Sequence, residues 1–464
     1  MRDRSAWTRR QKAIAATGIV ALLVFAAIGY EFSVLHPPAA PTNSFAPKID
    51  HVVFVFMENR PYDQYFAGYC LVISPYCNET GNGIPAGTEE SQLNVSGGFV
   101  IPYNYSAKNF TIVDQPHIYN ATIASLDGGK MDGFYSAERT GLDPFGHFNG
   151  STLPVYWDIA QEYALGDDFF SSALSYSLPN HWDALAGQAP KEGFDVAVQS
   201  TAAEHKYLNE SNGTETIQDL LNATSVTWKY YDWSLDPYQE AINQAVGANG
   251  VGSAYAYWNP LAARYESYNQ YFVSHFSTRT SFFSDVADGN LPEISWVIPQ
   301  FNFSDHPPAN VTSGEAFVAN VVDSVEMSPY WPTTAIFLAW DDYGGFYDHV
   351  APPARDPLGL SIRVPFLVIS PYTPAGSVIH TPGYFESTLA FMEDRWDLGC
   401  IGPRDCNAPD LLDYFDFGMA PRAPIFFDPN WQNDSYPMIA QHVATLDTTS
   451  WVGSDAGLPD TEAD

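Results

Sequence analysis

Two nearly unbroken apolar runs, each ending in a pair of oxygen-bearing side chains, constrain this chain more than anything else in it. The first is His51–Met57, HVVFVFM, closed by Glu58-Asn59. The second is Thr334–Trp340, TAIFLAW, closed by Asp341-Asp342 and then by Gly344-Gly345. Runs without polar alternation suit central strands of a parallel sheet, buried on both faces. Open α/β sheets bind ligands just beyond the carboxyl ends of such strands. Oxygen ligands from two strand ends can therefore converge on one hard divalent cation. The expectation is a metal-dependent hydrolase.

The rest of the chain reads as strands alternating with helices. Helical patterning is expected at Val155–Tyr163, Thr216–Asn222, Tyr271–Asp288, Gly314–Met327 and Glu386–Leu398. Strands are expected at Ser225–Asp232, Glu293–Pro299 and Val364–Ser370. This alternation implies an α/β fold with a mostly parallel central sheet. Residues 69–113, rich in Gly, Asn, Ser and Tyr, read as an irregular insertion, and residues 451–464 as an acidic tail.

Composition narrows the partners. A formal charge of −34, from 54 acidic and 20 basic residues, disfavours nucleic acid. At the N-terminus, residues 1–12 are basic and would be cytoplasmic, and residues 13–30 are apolar and read as a transmembrane signal-anchor. Residues 31–48 form a Pro-rich linker, followed by an extracytoplasmic domain over 49–450. Cleavage of the anchor and secretion is the alternative. Four cysteines fall in two local pairs, Cys70 with Cys77 and Cys400 with Cys406. Two disulfide clasps are the simplest connectivity, since the spacings suit zinc fingers poorly. Twelve N-x-S/T sequons fit a glycosylated, exposed chain.

Several catalytic templates are missing: no G-x-S-x-G elbow, H-E-x-x-H or P-loop occurs. A hydroxyl-rich segment, FFSSALSYSLPNHWDALAG, offers Ser177 near an expected helix start, where backbone N–H groups favour an anion. A loop of capping serines is the bland alternative. The segments HVVFVFMENRPYDQYFAGY, GGKMDGF, SLPNHWDALAG, SDHPP, WDDYGGFYDHVAPP and RVPFLVISPY, in this order, resemble the phosphoesterase family of phospholipases C and acid phosphatases, related to the alkaline phosphatase superfamily.

That resemblance implies an alkaline-phosphatase-like three-layer α/β/α sandwich and places the site residue by residue. Glu58, Asn59, Asp341, Asp342 and Ser177 match the residues around a divalent metal cation. Ser177 also matches the nucleophile that becomes phosphorylated. His306, His349 and His117 match histidines that line the phosphate pocket and protonate the leaving oxygen. Asn180 and His181 stand where substrate is gripped. Asp348 would orient His349, while Asp63 would cap or pack. Two departures stand out: Asp342 replaces the more usual glutamate, and His181 replaces a common arginine. The implied activity is hydrolysis of phosphate esters through a phosphoseryl intermediate, acid phosphatase-like. A phospholipase C acting on lipid head groups and a non-catalytic surface protein on the same fold are the alternatives. The partners expected are a small phosphate ester or phospholipid, and the membrane through the N-terminal helix.

Overall fold

The computed structural model describes residues 48–69, 99–106, 111–137, 141–189, 214–232 and 281–427, with a few short pieces between. The expected signal-anchor, the linker up to residue 47, the Cys70–Cys77 pair, most of the 69–113 insertion and the acidic tail lie outside them. Among the described residues no helix is long and apolar enough to cross a membrane.

Eight strands make the main sheet: β1 (His51–Met57), β2 (Ala164–Gly166), β3 (Trp228–Asp232), β4 (Phe276–Ser277), β5 (Ile294–Ile298), β6 (Thr334–Trp340), β7 (Phe366–Ile369) and β8 (Ser377–Ile379). Their order across the sheet is β8-β2-β7-β6-β1-β5-β3-β4. The block from β6 through β1, β5 and β3 to β4 is parallel. The α/β fold with a mostly parallel sheet is as expected. The buried run at Val364–Ser370, however, enters antiparallel, as β7 between β6 and β2. Apolar content marks a strand as central without encoding its direction. The stretch expected as one helix over Tyr271–Asp288 also divides. Its described part is β4 followed by a helix starting only at Ser281.

The register positions the site. β1 and β6 pair without offset, Phe54 opposite Phe337 and Met57 opposite Trp340. Both strands therefore end at the same level, and Asp341 N–H donates to the Met57 carbonyl at 3.0 Å. Glu58-Asn59 and Asp341-Asp342 are neighbours because the two apolar runs are in step.

Seven helices matter here: α1 (Tyr62–Phe66), α2 (Tyr119–Leu126), α3 (Pro154–Glu162), α4 (Ser177–Ala186), α5 (Ser281–Asp288), α6 (Val311–Glu326) and α7 (Phe385–Trp396). Helix α4 packs on α7, and α6 packs on α3 and α5. One disulfide, Cys400–Cys406, closes a short loop after α7, as the spacing predicts.

The core holds several buried carboxylates. Burial pushes Glu315 and Glu326 up to about 8, and Asp305 and Asp348 to about 6. Glu315 accepts from Val155 N–H at 3.0 Å, at the start of α3. Glu326 accepts from Ile425 N–H at 2.9 Å and from the Tyr163 hydroxyl. These groups keep protons in the folded chain that an unfolded chain, titrating near 3.8 to 4.5, has released. Their contribution to stability is complete below about pH 4 and is lost as the pH rises through 6 to 8. Melting curves of the full chain should therefore give a higher Tm at pH 5 than at pH 8. An equal or higher Tm at pH 8 would contradict this account of the core.

Candidate active site

Asn59 sits at the centre of the site in a left-handed conformation, φ 55°, which asparagine tolerates better than most residues. Its N–H donates to Asp341 Oδ1 at 2.7 Å. Glu58, Asn59, Ser177, Asp341 and Asp342 are all fully buried. The loop after β6 needs its two glycines. A Cβ on Gly344 would lie 2.3 Å from the Asn59 carbonyl oxygen, and one on Gly345 would lie 2.4 Å from Gln115 Cβ. Their absence lets the loop close on Asn59 on one side and on the segment carrying His117 on the other.

Ser177 is the first residue of α4, and Tyr176 takes the cap position. Ser177 Oγ bonds the Asn59 side chain at 3.2 Å, so the capping-serine alternative does not describe it. His117 and His306 approach the same carboxamide. His117 Nδ1 lies 2.7 Å from the Gln115 carbonyl and His306 Nδ1 lies 2.6 Å from that of Pro307. Each Nδ1 therefore carries a hydrogen, and in a neutral ring each Nε2 is an acceptor. The Asn59 amide nitrogen, 3.1 Å from His117 Nε2 and 3.0 Å from His306 Nε2, then donates to both. Its oxygen is left facing Ser177 Oγ at 3.2 Å, Asp341 Oδ1 at 3.1 Å and Glu58 Oε2 at 3.2 Å. The reversed amide satisfies this network only if both rings are charged.

With neutral histidines, an amide oxygen and two carboxylate oxygens stand together with no hydrogen between them. That is repulsive unless a cation lies among them, and oxygens around one small divalent ion stand about 3 Å apart. Asp341 Oδ2 is buried without a hydrogen-bond partner. Glu58, Asn59, Asp341 and the Ser177 hydroxyl thus fit a divalent cation. Asp342 Oδ1 accepts from Gly344 N–H at 2.6 Å, which gives that carboxylate a turn-forming role as well.

His349 is placed differently. Its Nδ1 and its backbone N–H both approach Asp63 Oδ2, at 2.6 and 2.8 Å. Its hydrogen bonds do not reach Ser177 or Asn59. Asp63, expected only to cap or pack, is the residue that orients this ring. Asp348, expected in that role, instead accepts from Arg363 Nε at 3.0 Å and from Asp63 N–H at 3.1 Å. Burial disfavours charge on His349, yet the Asp63 carboxylate outweighs it and holds its pKa above the ordinary value.

Two residues expected at the substrate face inward. The Asn180 side chain accepts from Ala173 N–H at 2.8 Å and donates to the Ser175 and Tyr176 carbonyls at 3.0 and 3.1 Å. Its amide is spent folding the loop that delivers Ser177. His181 Nε2 lies 2.9 Å from Glu58 Oε1 and 3.8 Å from Asp341 Oδ2, with its ring 4.4 Å from that of Phe56. It addresses the carboxylates, where a gripping arginine would reach outward.

Two positioning arginines escape the sequence reading. Arg60 Nε and Nη2 donate to the Asp305 carbonyl at 2.9 and 2.7 Å, tying the segment before His306 to the end of β1. Buried Arg363 bridges Asp63 and Asp348. The only hint in the sequence was a basic residue beside each motif in a chain poor in them.

A family model described as the Phosphoesterase family matches residues 49–399. Phospholipase C B of Mycobacterium tuberculosis is 26% identical, covering 89% of this chain and 86% of its own. Non-specific phospholipase C1 of Arabidopsis thaliana is 26% identical, covering 72% and 63%. Among solved structures, a protein in the alkaline phosphatase superfamily from Vibrio parahaemolyticus is similar at 13% identity and a TM-score of 0.35, covering 72% of this chain and 73% of that one.

Proposed function

Because the chain belongs to the phosphoesterase family, and is a hydrolase acting on phosphoric ester bonds, we propose that it cleaves phosphate monoesters through a phosphoseryl intermediate on Ser177. The non-catalytic reading is thereby set aside. The observation that carries the proposal is the contact of Ser177 Oγ with Asn59, inside a cluster whose oxygens fit a divalent cation. That cation, bound by Glu58, Asn59, Asp341 and Ser177, would lower the hydroxyl pKa and screen the anionic ester.

The chain's own groups do the rest. Ser177 Oγ, its proton released to solvent, attacks phosphorus as the bond to the leaving oxygen breaks, and a histidine gives that oxygen its proton. His349, whose pKa the Asp63 carboxylate raises, is the best-equipped donor. Water then attacks phosphorus as the bond to Oγ breaks, giving a proton to the now neutral histidine, and Oγ recovers its own proton from solvent. His117 and His306 hold the Asn59 carboxamide in place throughout. The formal charge of −34 disfavours approach to an anionic lipid surface and so favours a small soluble monoester. The similarity to phospholipases C supports the second reading, a diester or lipid head group.

We place this chemistry on an alkaline-phosphatase-like three-layer scaffold in the domain 49–450. We also place it outside the cytoplasm behind the N-terminal anchor, a reading supported by the Cys400–Cys406 disulfide. The full chain should be assayed on p-nitrophenyl phosphate and p-nitrophenyl phosphorylcholine from pH 3 to 9, with Mg2+, Ca2+, Mn2+ or Zn2+ added. Preference for the first supports the monoesterase. Preference for the second moves the assignment to phospholipase C, and turnover of neither with any ion defeats both.

A further inference from the structure

We infer that His181 is a nitrogen ligand of the divalent cation, making this a mixed nitrogen–oxygen site that favours zinc-type ions over Mg2+ and Ca2+. The inference rests on the metal-dependent reading above and deepens it.

Helix α4 sets the geometry. Ser177 and His181 are four residues apart and so lie on the same helix face. That face meets the ends of β1 and β6. His181 Nε2, one Glu58 carboxylate oxygen and one Asp341 carboxylate oxygen all lie within 4.8 Å of one another. That span matches the width of one coordination sphere, about 4–5 Å across for ligands near 2.0–2.3 Å from an ion. All three side chains are at most 1% exposed.

An ordinary His–Glu hydrogen bond would account for the 2.9 Å contact between His181 and Glu58. It would not account for Asp341. Its Oδ2 is fully buried, has no hydrogen-bond partner and points at His181 Nε2 across 3.8 Å, too far for a hydrogen bond. A single ion beside Glu58 would satisfy that oxygen and draw on the imidazole together. The Phe56 ring, 4.4 Å from the imidazole, restricts its swing. Imidazole suits Zn2+, whereas Mg2+ and Ca2+ prefer oxygen donors, so this one side chain biases the choice of ion.

The test uses the full chain, stripped with chelator and loaded with one equivalent of Mn2+, whose electron spin echo reports directly bonded nitrogen. The wild type should show 14N modulation that changes to the 15N pattern when histidine is 15N-labelled. It should vanish in His181→Gln and persist in His117→Gln and His306→Gln. By calorimetry, Zn2+ affinity should fall at least about tenfold in His181→Gln, and Mg2+ affinity by less. Mn2+ bound without nitrogen modulation would overturn the inference while leaving the metal reading intact. Failure of the wild type to bind any of these ions would overturn both. If His181→Gln does not fold, the double variant His117→Gln/His306→Gln decides. Modulation retained there supports His181, and modulation lost there overturns it.

Discussion

Replacing Ser177 with alanine should lower phosphoester turnover by about a thousandfold or more while costing only about 1 kcal/mol of stability. The two effects separate because of where the hydroxyl lies. Ser177 opens α4 but does not cap it, and its Oγ bonds only the Asn59 side chain among the described residues. Losing one neutral hydrogen bond from a first-turn residue is a small structural change. Losing the only serine hydroxyl in contact with Asn59 among the described residues removes the bond-forming atom itself. The wild type, quenched in acid during turnover, should gain the mass of one phosphoryl group on the peptide containing Ser177, and the alanine variant should gain none. A loss of turnover below about tenfold would mean that water attacks phosphorus directly, and the phosphoseryl route would have to be abandoned.

Part of this site could be read directly from the sequence, and the reason is local. β1 ends at Met57, as the apolar run predicts, where apolar side chains give way to Glu58-Asn59. The same logic ends β6 at Trp340. Once both ends are known, the juxtaposition of Glu58-Asn59 with Asp341-Asp342 needs only that the strands be parallel neighbours. What failed involved choices between distant partners. Whether Asp63 or Asp348 holds His349 depends on which carboxylate the fold turns toward the ring, and Asp63 lies 286 residues away. Adjacency in sequence favoured Asp348, but Arg363 claims it. The inward bonding of the Asn180 amide is hidden for a similar reason. A side chain with two donors and one acceptor beside a nucleophile reads as a substrate contact, and nothing in the local sequence says that the loop 173–176 will consume all of them. Strand direction was equally hidden, so β7 came as an antiparallel exception.

The largest stability effect should follow removal of Arg363. Its guanidinium is fully buried, donates from Nε to Asp348 at 3.0 Å and from Nη2 to Asp63 at 3.1 Å, and reaches the Asp167 carbonyl from Nη1 at 2.7 Å. It also lies over the Tyr62 ring, 4.4 Å from its centroid. Burial alone would lower its pKa, but the two carboxylates outweigh that and keep it charged. Arg363→Met keeps the apolar stem and deletes the charge, leaving two buried carboxylates and one positively inclined histidine. Breaking a buried ion pair from one side costs about 3–5 kcal/mol, since the abandoned charge cannot recover its water. The deficit should depend on pH with a definite sign. Asp348 already titrates near 6 with Arg363 present, and without it the carboxyl binds its proton still more tightly. Acid therefore relieves the variant, and its stability should approach that of the wild type as the pH falls from 8 to 5. The second substitution Asp348→Asn should recover part of the loss at pH 8, because it removes one of the stranded charges. Urea denaturation at both pH values measures all of this. A loss that is the same at pH 5 and pH 8, and unaffected by Asp348→Asn, would show that Arg363 acts by filling space and not by balancing charge.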